Sequence, residues 1–413
     1  MLQIATPSRD SRSPSRVSVS QVRYAPAIDA PRVLAILNLS TAWSRGVLQG
    51  FMACAHERRW TVLHYPPPVD VAALVQRFAP AAALIGPDSG GLALACAALV
   101  PVVSVALDLS SEGIASVCPE EDRIGVLALE HLRATGLRNV STFQLDASQF
   151  GIARERAFVA RARQAGASVA PGWGSEDAAP RRTGEDADAI VEWLRSLPKP
   201  CGIFTCADHW ARIVARYIRL AGLRVPEELA LIGVDNDVVE CELLEPPLSS
   251  VMVPWQEVGR SAAKLVERIL QGQQLSSRPV LTAPVGVVGR RSSELLAIED
   301  ALVAKALRWI RERAHQRLNV PMVARAVGGG RKRLERRFRR ALDRTVQGEI
   351  RRARVEVAKG LLQTTRASMA EIAKRSGFTN ASLLNVAFRR EVGVPPGVYR
   401  RLVQNTLAGA NDS

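Results

Sequence analysis

Two sets of residues in the 413-residue chain have types and spacing suited to chemistry. The first is polar and directly follows short apolar runs. Asn38 closes the run at 32–39, and Ser40, Trp43 and Arg45 follow it; Asp208, His209 and Trp210 follow 202–206; Asp235, Asn236 and Asp237 follow 229–234. Carboxylates and an amide exchange paired hydrogen bonds with neighbouring hydroxyls, and an indole face covers the apolar side of a sugar ring. Gathered at one edge, such residues bind a polyol. Singly they have plainer uses: Asp235 can cap the next turn, and Trp43 can belong to the core.

The second set lies near the C-terminus. Arg331, Lys332, Arg333, Arg336 and Arg337 crowd around Leu334, and Asn380, Ala381, Ser382, Asn385 and Arg389 occupy the corresponding stretch further on. The guanidinium fork matches the O6 and N7 acceptors of guanine, and a carboxamide matches adenine. Any one of these arginines can instead hold a phosphate or face solvent. Residues 299–413 contain 25 of the 55 Lys and Arg but only 10 of the 40 Asp and Glu. The whole formal net charge of +15 therefore lies in this last quarter. That asymmetry is expected of a polyanion-binding module joined to a neutral one.

Each set needs a scaffold. Apolar runs at 32–39, 61–65, 81–85, 102–106, 140–145, 202–206 and 229–234 are short and lack polar alternation, as strands covered on both faces do. Amphipathic stretches at 44–58, 123–135, 153–165 and 209–221 separate them. The pattern predicts a two-lobed parallel α/β domain over 31–290, with a crossover near 115–121. Ligands in such sheets bind beyond the carboxyl ends of the strands, where the first set falls.

The C-terminal set stands on helices. Asp300 can cap a helix at 301–313, and Pro321 suits a helix start, where its missing N–H costs nothing. Val323-Ala324-Arg325-Ala326-Val327-Gly328 matches Ile372-Ala373-Lys374-Arg375-Ser376-Gly377 at an interval of 49 residues. Each copy is followed by a turn and a helix ending in Phe338 or Phe388. These are two helix-turn-helix motifs joined by a helix at 345–363. Leu334 and Phe338 face the core, leaving Arg331, Arg333 and Arg337 or their neighbours outward. The chain then divides into a flexible arm (1–30), the α/β ligand-sensing domain (31–290), a linker (291–299), an all-α DNA-binding domain (300–405) and a disordered tail (406–413).

Other classes fit poorly. The Ser/Arg/Pro-rich start lacks the apolar core of an export signal, and the most apolar run, 92–107, is short and contains Pro101. Six scattered cysteines show no metal-ligand spacing, so the expectation is reduced thiols, no metal and no cofactor. Nucleophile elbows and phosphate loops are missing from the sequence, so it does not read as an enzyme.

The segment at 201–240, with ADHWARIVARYIRLAGLRVPEELALIGVDND, resembles the second lobe of the LacI-type, periplasmic-binding-protein-like sensor fold. LNLSTAWSRGVLQGF resembles the first strand and helix of that fold in the xylose operon regulators. SMAEIAKRSGFTNASLLNVAFRREVGVPPGVYR follows the signature of the AraC/XylS family of transcription regulators. The resemblance implies sugar contacts at Asp235 and Asn236 of the GVDN turn, at Asp208, at Trp43 and Arg45, and at Arg154, with Arg156 as the other register. It also implies two recognition helices in successive major grooves. Three departures stand out: Ala207 replaces a frequent Asn, Gly328-Gly329-Gly330 replaces a capping Ser, and Leu383-Leu384 stand where aromatics are common. The implied protein is a cytoplasmic, homodimeric regulator. It senses a xylose-like pentose, binds a double-stranded operator near sugar-metabolism genes, and meets RNA polymerase if it activates. The alternative is a regulator whose N-terminal domain only dimerises or binds a non-sugar ligand.

Overall fold

A computed structural model describes residues 30–401 apart from 88–89, 147, 176–185, 277, 295–299 and 343. The arm expected at 1–30, save its last residue, and the tail expected at 406–413 lie outside the described residues. The first sheet contains β1 (Arg32–Ile36), β2 (Thr61–Tyr65), β3 (Ala82–Ile85), β4 (Val102–Val105) and β5 (Ala115–Pro119), and β11 (Val280–Thr282) returns to its edge. The order is β11-β5-β4-β3-β1-β2, all parallel. The second sheet contains β6 (Asn139–Phe143), β7 (Ser168–Val169), β8 (Cys201–Thr205), β9 (Leu229–Val234), β10 (Ser249–Met252) and β12 (Gly286–Val288). Its order is β12-β10-β9-β8-β6-β7, with only β12 antiparallel.

Every residue of β3, β4, β8 and β9 is buried, which is why these runs show no polar alternation. Helices α1 (Ala42–Glu57), α2 (Val71–Phe78) and α3 (Gly90–Ala97) accompany the first sheet. Helices α4 (Glu121–Ala134), α5 (Gln149–Gln164), α6 (Ala187–Ser196), α7 (Asp208–Leu220) and α8 (Val238–Leu243) accompany the second. Helix α9 (Trp255–Leu270) leaves β10 and packs back against α1. The segment expected to cross between lobes is instead mostly strand: Ala115–Pro119 completes the first sheet, and the crossing starts at Glu120, leading into α4.

Of the linker expected at 291–299, residues 295–299 lie outside the described residues, and its first residues belong to the second lobe. Arg291–Ser293 form a 3-10 turn whose two serines are buried. Ser292 Oγ donates to Leu231 O at 2.7 Å and accepts from Ser249 N at 2.9 Å, which ties the turn into the second lobe. All six cysteines are free and buried.

The C-terminal domain contains α10 (Ala301–Arg313), α11 (Val320–Ala326), α12 (Arg331–Leu342), α13 (Val346–Thr364), α14 (Met369–Arg375) and α15 (Ala381–Val392). Side chains of Asp300, Asn319, Thr345, Ser368 and Asn380 accept first-turn N–H groups of α10, α11, α13, α14 and α15, so five helix starts are written in the sequence. Gly377 ends α14 with φ +81°, where a side chain would also meet Ala314 O at 2.4 Å; only glycine suits this turn. Leu334 and Phe338 share one apolar cluster with Val303, Leu307, Val323 and Ile350. Leu384, Phe388 and Tyr399 share another, which includes Met252, Val285 and Val288 of the second lobe. Polar contacts reinforce this docking: Lys359 Nζ donates to Val287 O at 2.9 Å, and Arg344 Nη1 donates to Ala134 O at 3.3 Å.

Candidate ligand pocket and nucleic-acid interface

The carboxyl ends of the two sheets face a narrow cavity of about 30 Å³, room for about one water molecule in this arrangement of the lobes. Trp43, Pro87 and Ala106 contribute from the first lobe. Phe150, Arg154, Ala207, His209 and Asp235 contribute from the second, and Glu121 and Trp255 open the helices that cross between lobes. A wider cleft adjoins it past Asp108, Glu120, Asp122 and Gln149.

Arg154 is the electrostatic centre, with only 2% of its side chain exposed. Its Nε meets Glu121 Oε2 at 2.5 Å, and its Nη1 donates to Cys206 O at 2.7 Å and lies 4.0 Å from Asp235 Oδ1. Its guanidinium also lies over the Phe150 ring, 4.9 Å from the centroid. Burial works against this charge, but Glu121 and Asp235 outweigh it and raise the guanidinium pKa. Burial also lifts the Glu121 carboxyl, against the pull of Arg154.

Asp235 sits at the turn after β9 with φ +105°, and Asn236 follows at +55°, both unusual for residues with side chains. Burial pushes the Asp235 carboxyl up to about 7, with Arg154 opposing. Its Oδ1 has no hydrogen-bond partner, and neither has the neighbouring Trp255 Nε1, whose influence on the carboxylate falls short of a closed bond. The indole N–H and the carboxylate thus share one wall without a hydrogen bond of ordinary geometry to any side chain. A hydroxyl, which both donates and accepts, satisfies the pair. Trp43 lies 5.6 Å from Trp255, giving the pocket an aromatic side.

Three other expected contacts are placed differently. Asp208 is buried behind the wall. Its Oδ1 accepts from Ser250 Oγ at 2.7 Å and its Oδ2 from Asp237 N at 2.8 Å and from Cys241 Sγ. A Cβ on Gly233 would come within 2.1 Å of that carboxylate, so a residue without a side chain makes room for it. Asp208 braces the Asp235 turn instead of lining the pocket. Asn236 turns away, its Oδ1 accepting from Arg290 Nη2 at 2.9 Å. Arg45 donates to Leu39 O and Ser40 O at 2.8 and 2.9 Å and clamps its own loop. Trp43, Arg154 and Asp235 are brought together. His209, one of the residues after the 202–206 run, also lines the pocket; Glu121, Phe150 and Trp255 were not anticipated, the one signal being that Phe150 precedes Arg154 by one helical turn.

On the candidate nucleic-acid face, Leu334 and Phe338 turn inward on α12, leaving Lys332, Arg333 and Arg336 exposed together with the unanticipated Arg339 and Arg340. Arg331 is exposed beside Glu335 at 3.6 Å. Arg337 does not face outward: its Nε meets Asp300 Oδ2 at 2.5 Å, joining α12 to the start of α10. On α15, Leu384, Ala387 and Phe388 are inward, while Ser382, Asn385 and Arg389 are exposed and Ala381 is half-buried. Asn380 is the helix cap, its Oδ1 accepting from Leu383 N at 2.9 Å, which leaves only its amide N–H groups for another partner.

Comparison with known proteins gives two family matches: a periplasmic binding protein-like domain over residues 129–293 and a helix-turn-helix domain over residues 323–402. The xylose operon regulatory protein of Haemophilus influenzae is 33% identical over 216 residues, covering 52% of this chain and 56% of that protein. Its namesake from Escherichia coli strain K12 is 31% identical over 224 residues, covering 54% and 57%. The chain thus spans a little over half the length of these curated relatives. Among solved structures, a xylose-binding transcription activator superposes with a TM-score of 0.56 at 24% identity, covering 91% of this chain and 99% of that one. A periplasmic binding protein/LacI transcriptional regulator from Alkaliphilus metalliredigens, solved with D-xylulofuranose, covers 64% of this chain with a TM-score of 0.51 at 18% identity. The chain joins a periplasmic-binding-protein-like domain to a helix-turn-helix domain, and over about half its length it is similar to the xylose operon regulatory proteins.

Proposed function

We propose that this chain is a sequence-specific, DNA-binding transcription regulator that responds to a small sugar, with a xylose-like pentose as its effector. One observation carries the reading. A buried, aromatic-walled pocket, where the Asp235 carboxylate and the Trp255 indole N–H lack hydrogen bonds of ordinary geometry, shares a chain with two cation-bearing recognition helices. Arg154 and Asp235 hold the sugar hydroxyls and Trp43 covers a ring face. Lys332, Arg333 and Arg336 engage one stretch of major groove, and Ser382, Asn385 and Arg389 engage the next. The working form is a homodimer in the cytoplasm on an operator near sugar-metabolism genes, and it contacts RNA polymerase where it activates. Sugar acts only through a difference in affinity between two lobe arrangements.

A second reading has its own support. Arg154 is already paired with Glu121, so part of the pocket's polarity is spent internally. A domain that only dimerises, or takes a non-sugar ligand, has no need of a free arginine. Titrating the full chain with a panel of pentoses, followed by tryptophan fluorescence and thermal shift, separates the two. Saturable binding that Asp235→Ala abolishes supports the sugar sensor. No response to any sugar supports the second reading.

A further inference from the structure

The two recognition helices present different chemistry to DNA. The outer face of α12 is cationic, formed by Lys332, Arg336 and Arg339 at helical spacing. On α15 the line opposite the buried Leu384 and Phe388 runs Ser382, Val386, Arg389. Val386 at its centre is 67% exposed, and Leu383 beside it is 51% exposed. Neither belongs to an apolar cluster of the fold. A single exposed aliphatic is ordinary, but here two stand one helical turn apart on an open face, and the β-branched Val386 costs helix propensity there. Asn385 and Arg389 on the same face, and Arg390 beyond them, supply the amide and the cations of a groove-facing surface.

We infer that α15 reads thymine through its 5-methyl groups, with Val386 and Leu383 as the contacting side chains and Asn385 placed for a neighbouring adenine. The assignment rests on the DNA-reading function proposed above. Residues three apart on a helix stand about 5–6 Å from each other, enough to reach neighbouring base steps in one groove. The thymine methyl is the apolar feature of the major-groove edge, and aliphatic side chains recognise it by contact alone. The alternative occupant, a protein partner's apolar face, is disfavoured by the arginines that flank the patch.

The test begins by selecting duplexes from a randomised library with the full chain. Each thymine of the recovered site is then replaced by deoxyuridine, which removes only the methyl group. At one or two thymines in one half of the site, affinity is expected to fall about fourfold, the equivalent of one buried methyl group. Val386→Ala or Leu383→Ala is expected to erase that penalty at its own position, with an unchanged thermal transition. Arg336→Ala is expected to leave the penalty intact and to flatten the salt dependence by about one unit. Wild-type binding indifferent to every deoxyuridine, or a penalty that survives both alanine variants, overturns the assignment while leaving DNA recognition standing. A library from which no sequence is enriched overturns the regulator reading itself, and this assignment with it.

Discussion

Raising the pH from 6 to 8 spans the titration of one pocket carboxyl, Asp235. Burial holds the Asp235 carboxyl at about 7, so this step carries it from mostly protonated to mostly ionised. A sugar hydroxyl donates to the ionised form. With the binding-competent fraction near one tenth at pH 6 and nine tenths at pH 8, the apparent Kd for xylose is expected to fall about tenfold. Burial lowers the His209 pKa, which moves its titration away from that of Asp235. Asp208 lies behind the wall, and Glu121 is held against Arg154. Asp235→Asn is expected to bind more weakly at pH 8 and with no pH slope. The assay is intrinsic fluorescence of Trp43 and Trp255 on xylose titration at constant ionic strength. A wild-type Kd constant within twofold over this range, or the same slope in the Asn variant, refutes the reasoning. The sign for stability runs the other way. A carboxyl whose pKa is raised on folding contributes stability below its unfolded value, about 4, and loses it as pH rises through 7. The ligand-free Asn variant is therefore expected to melt above wild type at pH 8.

Three further outcomes separate the parts of the molecule. Phe388→Ala removes a fully buried ring 5.2 Å from Tyr399 and is expected to cost about 3–5 kcal/mol in chemical unfolding, with sugar affinity retained. Asp300→Ala removes both the cap of α10 and the partner of Arg337; since the pair is only partly buried, a loss of about 1–2 kcal/mol is expected, read from thermal denaturation. Arg333→Ala and Asn385→Ala are both expected to weaken operator binding in a mobility-shift titration while fluorescence-monitored sugar affinity stays put. Unchanged operator affinity in both variants shows that the base-reading surface lies elsewhere.

The sequence showed the sheets better than it showed the pocket. Runs such as Leu229–Val234 are legible because a strand buried on both faces cannot alternate. Strands β11 and β12, three residues each, carry no such signature, and Val280 and Leu281 are even exposed. Capping residues made the helical domain legible, since Asp300 and Asn380 act locally. Asp208 and Asn236 were misplaced because a strand end is visible in sequence but the direction of its side chain is not. Here Ser250 and Arg290, distant in the chain, turn both away from the pocket. Arg337 shows the same limit on a helix. One position past the solvent face, it meets Asp300, 37 residues earlier.

The apolar seam between Phe388, Tyr399 and the strands around Met252 and Val288 gives the molecule an asymmetric architecture. The contacts described here fasten α13 and α15 to the second lobe, so that they travel as a single body. Under the proposed function, a change in the angle between the lobes leaves α15 fixed in that body's frame and moves the first lobe relative to it.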